Sequence, residues 1–154
     1  MTRWLTAKEQ ESWRSWIEAS LLLTDRLSRD MQAQHALTFA DYEILVWLSE
    51  APDRRLRMSE LARRALSSRS RLSHQIDRME RAGLVTREVC AEDRRGSFAV
   101  LTETGWRTIV QAAPDHVASV RANLVDILSP EEFAALGAAC RKVADALQES
   151  APAT

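Results

Sequence analysis

Residues 58 to 105 leave this chain less freedom than any other stretch, because helix, turn and strand signals follow one another there with almost nothing between them. Ser59 is placed to cap a short helix over 60–66. A second helix follows over 67–83, in which Leu72, Ile76 and Met79 recur at i, i+4 and i+7 and make one narrow apolar stripe. Ser67 stands where it can cap the first turn, and Gly83 where a left-handed residue closes a helix. Residues 84–90 then read as a strand and 97–101 as its antiparallel partner, and 53–57 as a turn and short strand able to join the same sheet. That order of elements is a winged helix-turn-helix, so the expected fold is mainly α with a small β-wing.

At about 100° per residue, Ser70, His74 and Arg81 lie opposite the apolar stripe, flanked by Arg71, Ser73, Asp77 and Arg78, with Ser67, Ser68 and Arg69 leading in. Guanidinium, hydroxyl and imidazole groups are the types that reach phosphates and base edges in a major groove. Taken alone, an Arg-rich helix reads equally well as a solvated face. The hairpin tip decides between them, because Arg94 and Arg95 form a basic point able to enter a minor groove, where a narrow groove concentrates negative potential. Asp93, two residues before Arg95, is placed to hold the Arg95 guanidinium in one orientation.

The pattern Asp93-x-Arg95, five residues, then Leu101-Thr102-x-x-Gly105 resembles the wing signature of the MarR (multiple antibiotic resistance regulator) family of bacterial transcription factors. The likeness extends upstream through Ala82-Gly83-Leu84-Val85, the helix from Arg71 to Arg81 and Leu61-Ala62 to Leu37-Thr38, and spans residues 30 to 147. The resemblance implies a homodimer on pseudo-palindromic operator DNA, with Arg95 in the minor groove, that lets go when a small molecule or oxidant acts on it. It also implies that the first helix passes over a cleft between dimerisation and DNA-binding parts. Trp16, His35 and Tyr42 are the candidate effector contacts there, Tyr42 being better suited to an interior hydrogen-bonding role.

The formal net charge of −1 over 154 residues, taken alone, opposes binding to nucleic acid. Its distribution removes the objection: residues 54–95 hold twelve arginines against six acidic residues, and the remainder nine basic against sixteen acidic. Positive charge is therefore confined to the proposed DNA-binding unit. With 45% hydrophobic and 28% charged residues the chain reads as one ordinary domain, and without a transmembrane run or apolar leader it is expected in the cytoplasm, away from any membrane. Cys90 and Cys140 are far apart and lack ligand spacing with His35, His74 or His116, so neither a metal nor a cofactor is expected.

Outside the unit, Thr6-Ala7-Lys8-Glu9 has the form of a capping box for a first helix running to about Gln34, with Trp13, Trp16, Ile17, Ser20, Leu23, Leu27 and Met31 at helical spacing. Thr38, with Asp41 three residues on, opens the next helix, which Ala51-Pro52 ends. Thr102 begins a long helix in which Pro114 predicts a kink rather than a break. Ser129-Pro130-Glu131-Glu132 opens the last helix, whose Phe133, Leu136, Cys140, Val143 and Leu147 form a 3-4-3-4 seam. That seam is expected to be a dimer interface, with Cys140 a small buried hydrophobe. The resulting division is 1–36 and 106–148 for helical dimerisation, 37–105 for DNA binding and 149–154 as a disordered tail.

The function expected is that of a dimeric repressor released by a small aromatic effector. A redox-responsive regulator is less favoured, since peroxide-sensing members of the family carry a reactive cysteine in the first helix and none precedes Cys90 here. A winged helix used only for protein contact is the alternative from another class. No nucleophile–base pair, carboxylate pair or Gly-rich phosphate loop appears, so an enzyme is not expected.

Overall fold

A computed structural model describes residues 1–93 and 95–149, so the expectations for Arg94 and for a tail over 150–154 lie outside the described residues. The elements are α1 (Ala7–His35), α2 (Phe39–Glu50), β1 (Arg55–Arg57), α3 (Met58–Arg64), α4 (Arg69–Arg81), β2 (Val85–Val89), β3 (Ser97–Leu101), α5 (Glu103–Asn123) and α6 (Pro130–Glu149). The chain divides into two compact units, Met1–His116 and Val117–Thr154, and α5 continues from one into the other. Pro114 does not break it.

Three helices start where their local chemistry dictates. Thr6 accepts from the Glu9 amide at 3.3 Å while the Glu9 carboxylate accepts from the Thr6 amide at 2.7 Å, which closes a capping box. The Thr38 hydroxyl accepts from Asp41 N–H at 3.1 Å. Ser129 and Glu132 make the second reciprocal box, at 3.2 and 2.8 Å.

The core of the first unit gathers Ile44, Leu45 and Leu48 of α2, Leu61 of α3, Leu72, Ile76 and Met79 of α4 and Val85 of β2, each under 2% exposed. The α4 stripe is thus the buried face that its spacing predicts. Met31 of α1 and Ile109 and Ala112 of α5 close the same core. The sheet runs β1-β3-β2, all antiparallel, with Leu56 opposite Ala99 and Arg87 also opposite Ala99 from the other side.

The Leu101-Thr102-x-x-Gly105 motif has a mechanical reason. Thr102 donates its amide to Leu84 O at 3.1 Å and its hydroxyl to Gly83 O at 2.6 Å, and that hydroxyl accepts from Gly105 N–H at 3.0 Å. The wing base, the turn after α4 and the start of α5 are tied at one residue. A Cβ on Gly105 would stand 2.2 Å from Leu84 O and 2.6 Å from Leu101 Cδ1, so only glycine permits this approach.

Two helix starts differ from expectation. α3 begins at Met58 with Arg57 at its N-cap and no side-chain cap, because β1 runs directly into the helix and leaves Ser59 inside it. α4 is capped by Ser68, whose hydroxyl accepts from Arg71 N–H at 3.2 Å, and not by Ser67. The Ser67 amide is already used at the other helix: it donates to Ala62 O at 3.0 Å while Leu66 donates to Arg63 O at 3.3 Å. This pair of bonds is a Schellman closure of α3, with Leu66 at the left-handed position. Leu66 has φ +48° and is 94% exposed, so it carries the steric cost of that conformation without burying its side chain. Leu66→Gly is therefore expected to stabilise the protein by about 1 kcal/mol. A rise of a few degrees in Tm checks it, and a fall would show that Leu66 makes a contact in solution.

In the second unit α6 contains no fully buried residue. Phe133, Cys140, Val143 and Leu147 are exposed and Leu136 half-buried, so Cys140 is not the buried hydrophobe expected of it within one chain. The helix reaches Glu149, one residue further than its expected end.

Candidate nucleic-acid interface

Burying Leu72, Ile76 and Met79 fixes which residues α4 turns outward. Arg69, Ser70, Arg71 and His74 are exposed, as is Arg78. Two tethers hold the helix in that rotation. From α2, the Asp41 carboxylate accepts from Gln75 Nε2 at 2.8 Å and lies 3.7 Å from Arg78 Nη2, so Arg78 is partly neutralised within the protein. From β2, Arg87 Nη2 donates to Ser73 O at 2.8 Å, Ser73 Oγ at 3.2 Å and Asp77 Oδ1 at 2.6 Å. Ser73, expected at the DNA edge, thus has its hydroxyl engaged by the wing. The Arg87 amide also donates to Glu80 Oε1 at 3.1 Å, so α4 and β2 are joined by side chain and backbone together.

At the wing tip, Asp93 acts differently from expectation. Its carboxylate accepts from the Arg95 backbone N–H at 3.0 Å, and its carbonyl accepts from Gly96 N–H at 2.9 Å. With a two-residue spacing the short Asp side chain reaches the nearby amide, so it shapes the turn, and among the described residues the Arg95 guanidinium has no carboxylate partner. Arg95 is exposed. Arg55 and Arg57 alternate onto one face of β1 and lie over the Phe98 ring at 4.8 and 5.3 Å.

Between wing and α4 lies a cleft of about 360 Å³, with Arg57, Arg69, Arg87 and Arg95 in its lining beside Asp93 and Ser73. Arg57 and Arg87 were missed by the sequence reading. The signal for Arg87 was its period-two phase: it shares a strand face with buried Val85, where a cation requires an acceptor.

The three effector candidates are not brought together. Tyr42 is buried at 6%, its ring 4.9 Å from that of His116 and 6.5 Å from that of Phe39. Burial raises the Tyr42 hydroxyl pKa and lowers that of His116, which keeps both rings neutral at neutral pH. His35 Nε2 sits 2.9 Å from the carboxylate of Asp115, the neighbour of His116 on α5. Trp16 is nineteen residues before His35 on the same straight run of helix, roughly 28 Å away by axial rise, and is exposed. Among the described residues no His, Cys, Asp and Glu cluster could hold a metal ion, and no helix is long and apolar enough to cross a membrane.

Residues 36–96 match the model of the MarR family. The chain is similar over its whole length to AbsC, a MarR family transcriptional regulator from Streptomyces coelicolor, with 52% identity, TM-score 0.91, and coverage of 97% of this chain and 100% of that one. It is similar also to Sco3205, a MarR family regulator of the same organism solved in complex with DNA, at 49% identity, TM-score 0.93, and coverage of 97% and 94%. The transcriptional repressor YetL of Bacillus subtilis is 31% identical over 100 residues, 65% of this chain and 59% of that protein. Identity of this extent, across helices and wing alike, leaves one assignment: the chain belongs to the MarR family of transcriptional regulators.

Proposed function

We propose that two copies of this chain bind a pseudo-palindromic DNA operator in the cytoplasm and repress transcription from it, releasing it when a small aromatic effector binds. The observation that carries this reading is the outward face of α4, Arg69, Ser70, Arg71 and His74, standing beside the exposed Arg95 tip while the opposite stripe is sealed in the core. Among the described residues no carboxylate lies within ion-pair distance of Arg69, Arg71 or Arg95, so these charges are available to phosphates. The DNA complex of Sco3205 and the repressor YetL support the same direction. Docked in this way, two α4 helices enter successive major grooves about 34–36 Å apart and two wings reach the flanking minor grooves.

Exposed apolar surface supports the second copy. Trp4, Trp13, Trp16, Leu21 and Leu22 of the α1 region are exposed, as are Phe133, Val143 and Leu147 of α6, more than a monomer normally leaves in water. On this reading residues 1–36 and 106–148 dimerise and 37–105 read DNA. The packed rings of Tyr42, His116 and Phe39 are the aromatic cluster nearest in character to what an effector of this class would contact.

The test begins with selection of a tight duplex from a randomised pool. His74→Ala is expected to lower the ratio of selected to scrambled affinity by about 1–3 kcal/mol per contact, as a base-edge contact does, while Arg71→Ala lowers both affinities in parallel. Wild-type affinity that neither prefers a sequence nor weakens with salt would overturn the reading in favour of a protein-contact module.

A further inference from the structure

A protein that places a helix in the major groove and a wing in the adjacent minor groove must straddle the sugar-phosphate backbone that separates them. In this chain the space between those two elements is the cleft with Arg57, Arg69, Arg87 and Arg95 in its lining beside Asp93, and of these arginines only Arg87 is ion-paired among the described residues, to Asp77. We propose that this cleft seats one phosphodiester of the DNA backbone in each half-site, with Arg57 as its principal ligand. The proposal rests on the DNA-binding reading above and adds a contact absent from it.

The carboxylate is already engaged, since Asp93 accepts from the Arg95 backbone amide. Arg87 is fastened by its Nη2 to Ser73 and Asp77, and its Nε is sealed from solvent, so it forms a wall of the cleft and leaves an anion there to the other arginines. Arg57 is positioned before any ligand arrives. Its guanidinium lies over Phe98, and a Cβ on Gly96 would come within 3.4 Å of its Nη1, so the glycine leaves the group room. Among the described residues neither Arg57 nor Arg69 has a carboxylate partner, which leaves both cations available to a phosphate. The volume of about 360 Å³ admits a phosphodiester with part of its flanking sugars.

The experiment uses the full chain and the duplex selected by the wild type, made also as a set in which one linkage at a time is a neutral methylphosphonate. Arg57→Ala is expected to bind roughly ten-fold more weakly and to flatten the slope of log affinity against log salt by roughly 0.9 per half-site. One methylphosphonate per half-site is expected to weaken the wild type and to leave Arg57→Ala unaffected, with Arg57→Lys intermediate. Unchanged melting and circular dichroism of the variants excludes a folding defect. Arg57→Ala with wild-type affinity and slope overturns the proposal, as does a variant that retains every methylphosphonate sensitivity. At matched ionic strength phosphate and chloride buffers are expected to weaken binding equally; specific competition by phosphate, with DNA affinity intact in Arg57→Ala, assigns the cleft to a free anion and overturns it too. Failure of the wild type to bind any duplex overturns instead the function proposed above.

Discussion

Gly105→Ala is expected to destabilise the protein by about 3–5 kcal/mol and to lower its Tm by roughly 10 °C or more. Alanine in a helix interior normally gains about 1 kcal/mol over glycine. Here that gain is outweighed, because the new methyl meets the backbone oxygen of Leu84 at 2.2 Å and the side-chain Cδ1 of Leu101 at 2.6 Å. Neither can retreat freely. Leu84 O accepts from both the amide and the hydroxyl of Thr102, and the Leu101 side chain is itself buried in the core. Relief of the clash therefore breaks the knot at Thr102 that joins wing, turn and α5. Urea or thermal unfolding measures the loss, and a variant as stable as the wild type would mean that this junction is looser than its geometry indicates. DNA affinity should fall with stability, since the wing base moves.

Leu136→Asp is the substitution expected to act most strongly on assembly. In the proposed dimer the seam of Phe133, Leu136, Cys140, Val143 and Leu147 is covered by a second copy, and a two-fold interface counts each change twice. Burying two unpaired carboxylates is expected to weaken association by roughly 4–6 kcal/mol, a factor of about 10³ to 10⁴ in dimer Kd. Light scattering at micromolar concentration should then give the monomer mass, and operator affinity should collapse with it. A variant that keeps dimer mass and DNA affinity would place the interface elsewhere.

What could be read from the sequence was mostly local. The caps at Thr6, Thr38 and Ser129 are rules between residues three apart, and the α4 stripe and Gly83 closure obey spacings of one or two turns. The wing was legible because two strands and the next cap had to agree at once. Errors of one residue arose where two elements compete for the same atoms: Ser67 looks like a cap until its amide is seen closing α3. What stayed hidden lies far apart in the chain. Asp41 meets Gln75 thirty-four residues away, and Arg87 meets Ser73 across fourteen; the strand phase of Arg87 says that it needs an acceptor but not which residue supplies it. Cys140 is exposed in one chain, and its spacing alone does not say whether burial comes within a chain or in an assembly.

The order β1-β3-β2 also bears on how copies of this chain can meet. β3 is covered on both edges, so the only backbone left unpaired by the sheet belongs to its flanks. One flank is three residues long with an arginine at each end, Arg55 and Arg57, and the other sets Arg87 and Glu88 side by side. Short, charged edges make poor templates for a further strand. Growth of the sheet from one molecule to the next, the usual route to β-aggregation for a protein with an exposed hairpin, is disfavoured at both ends.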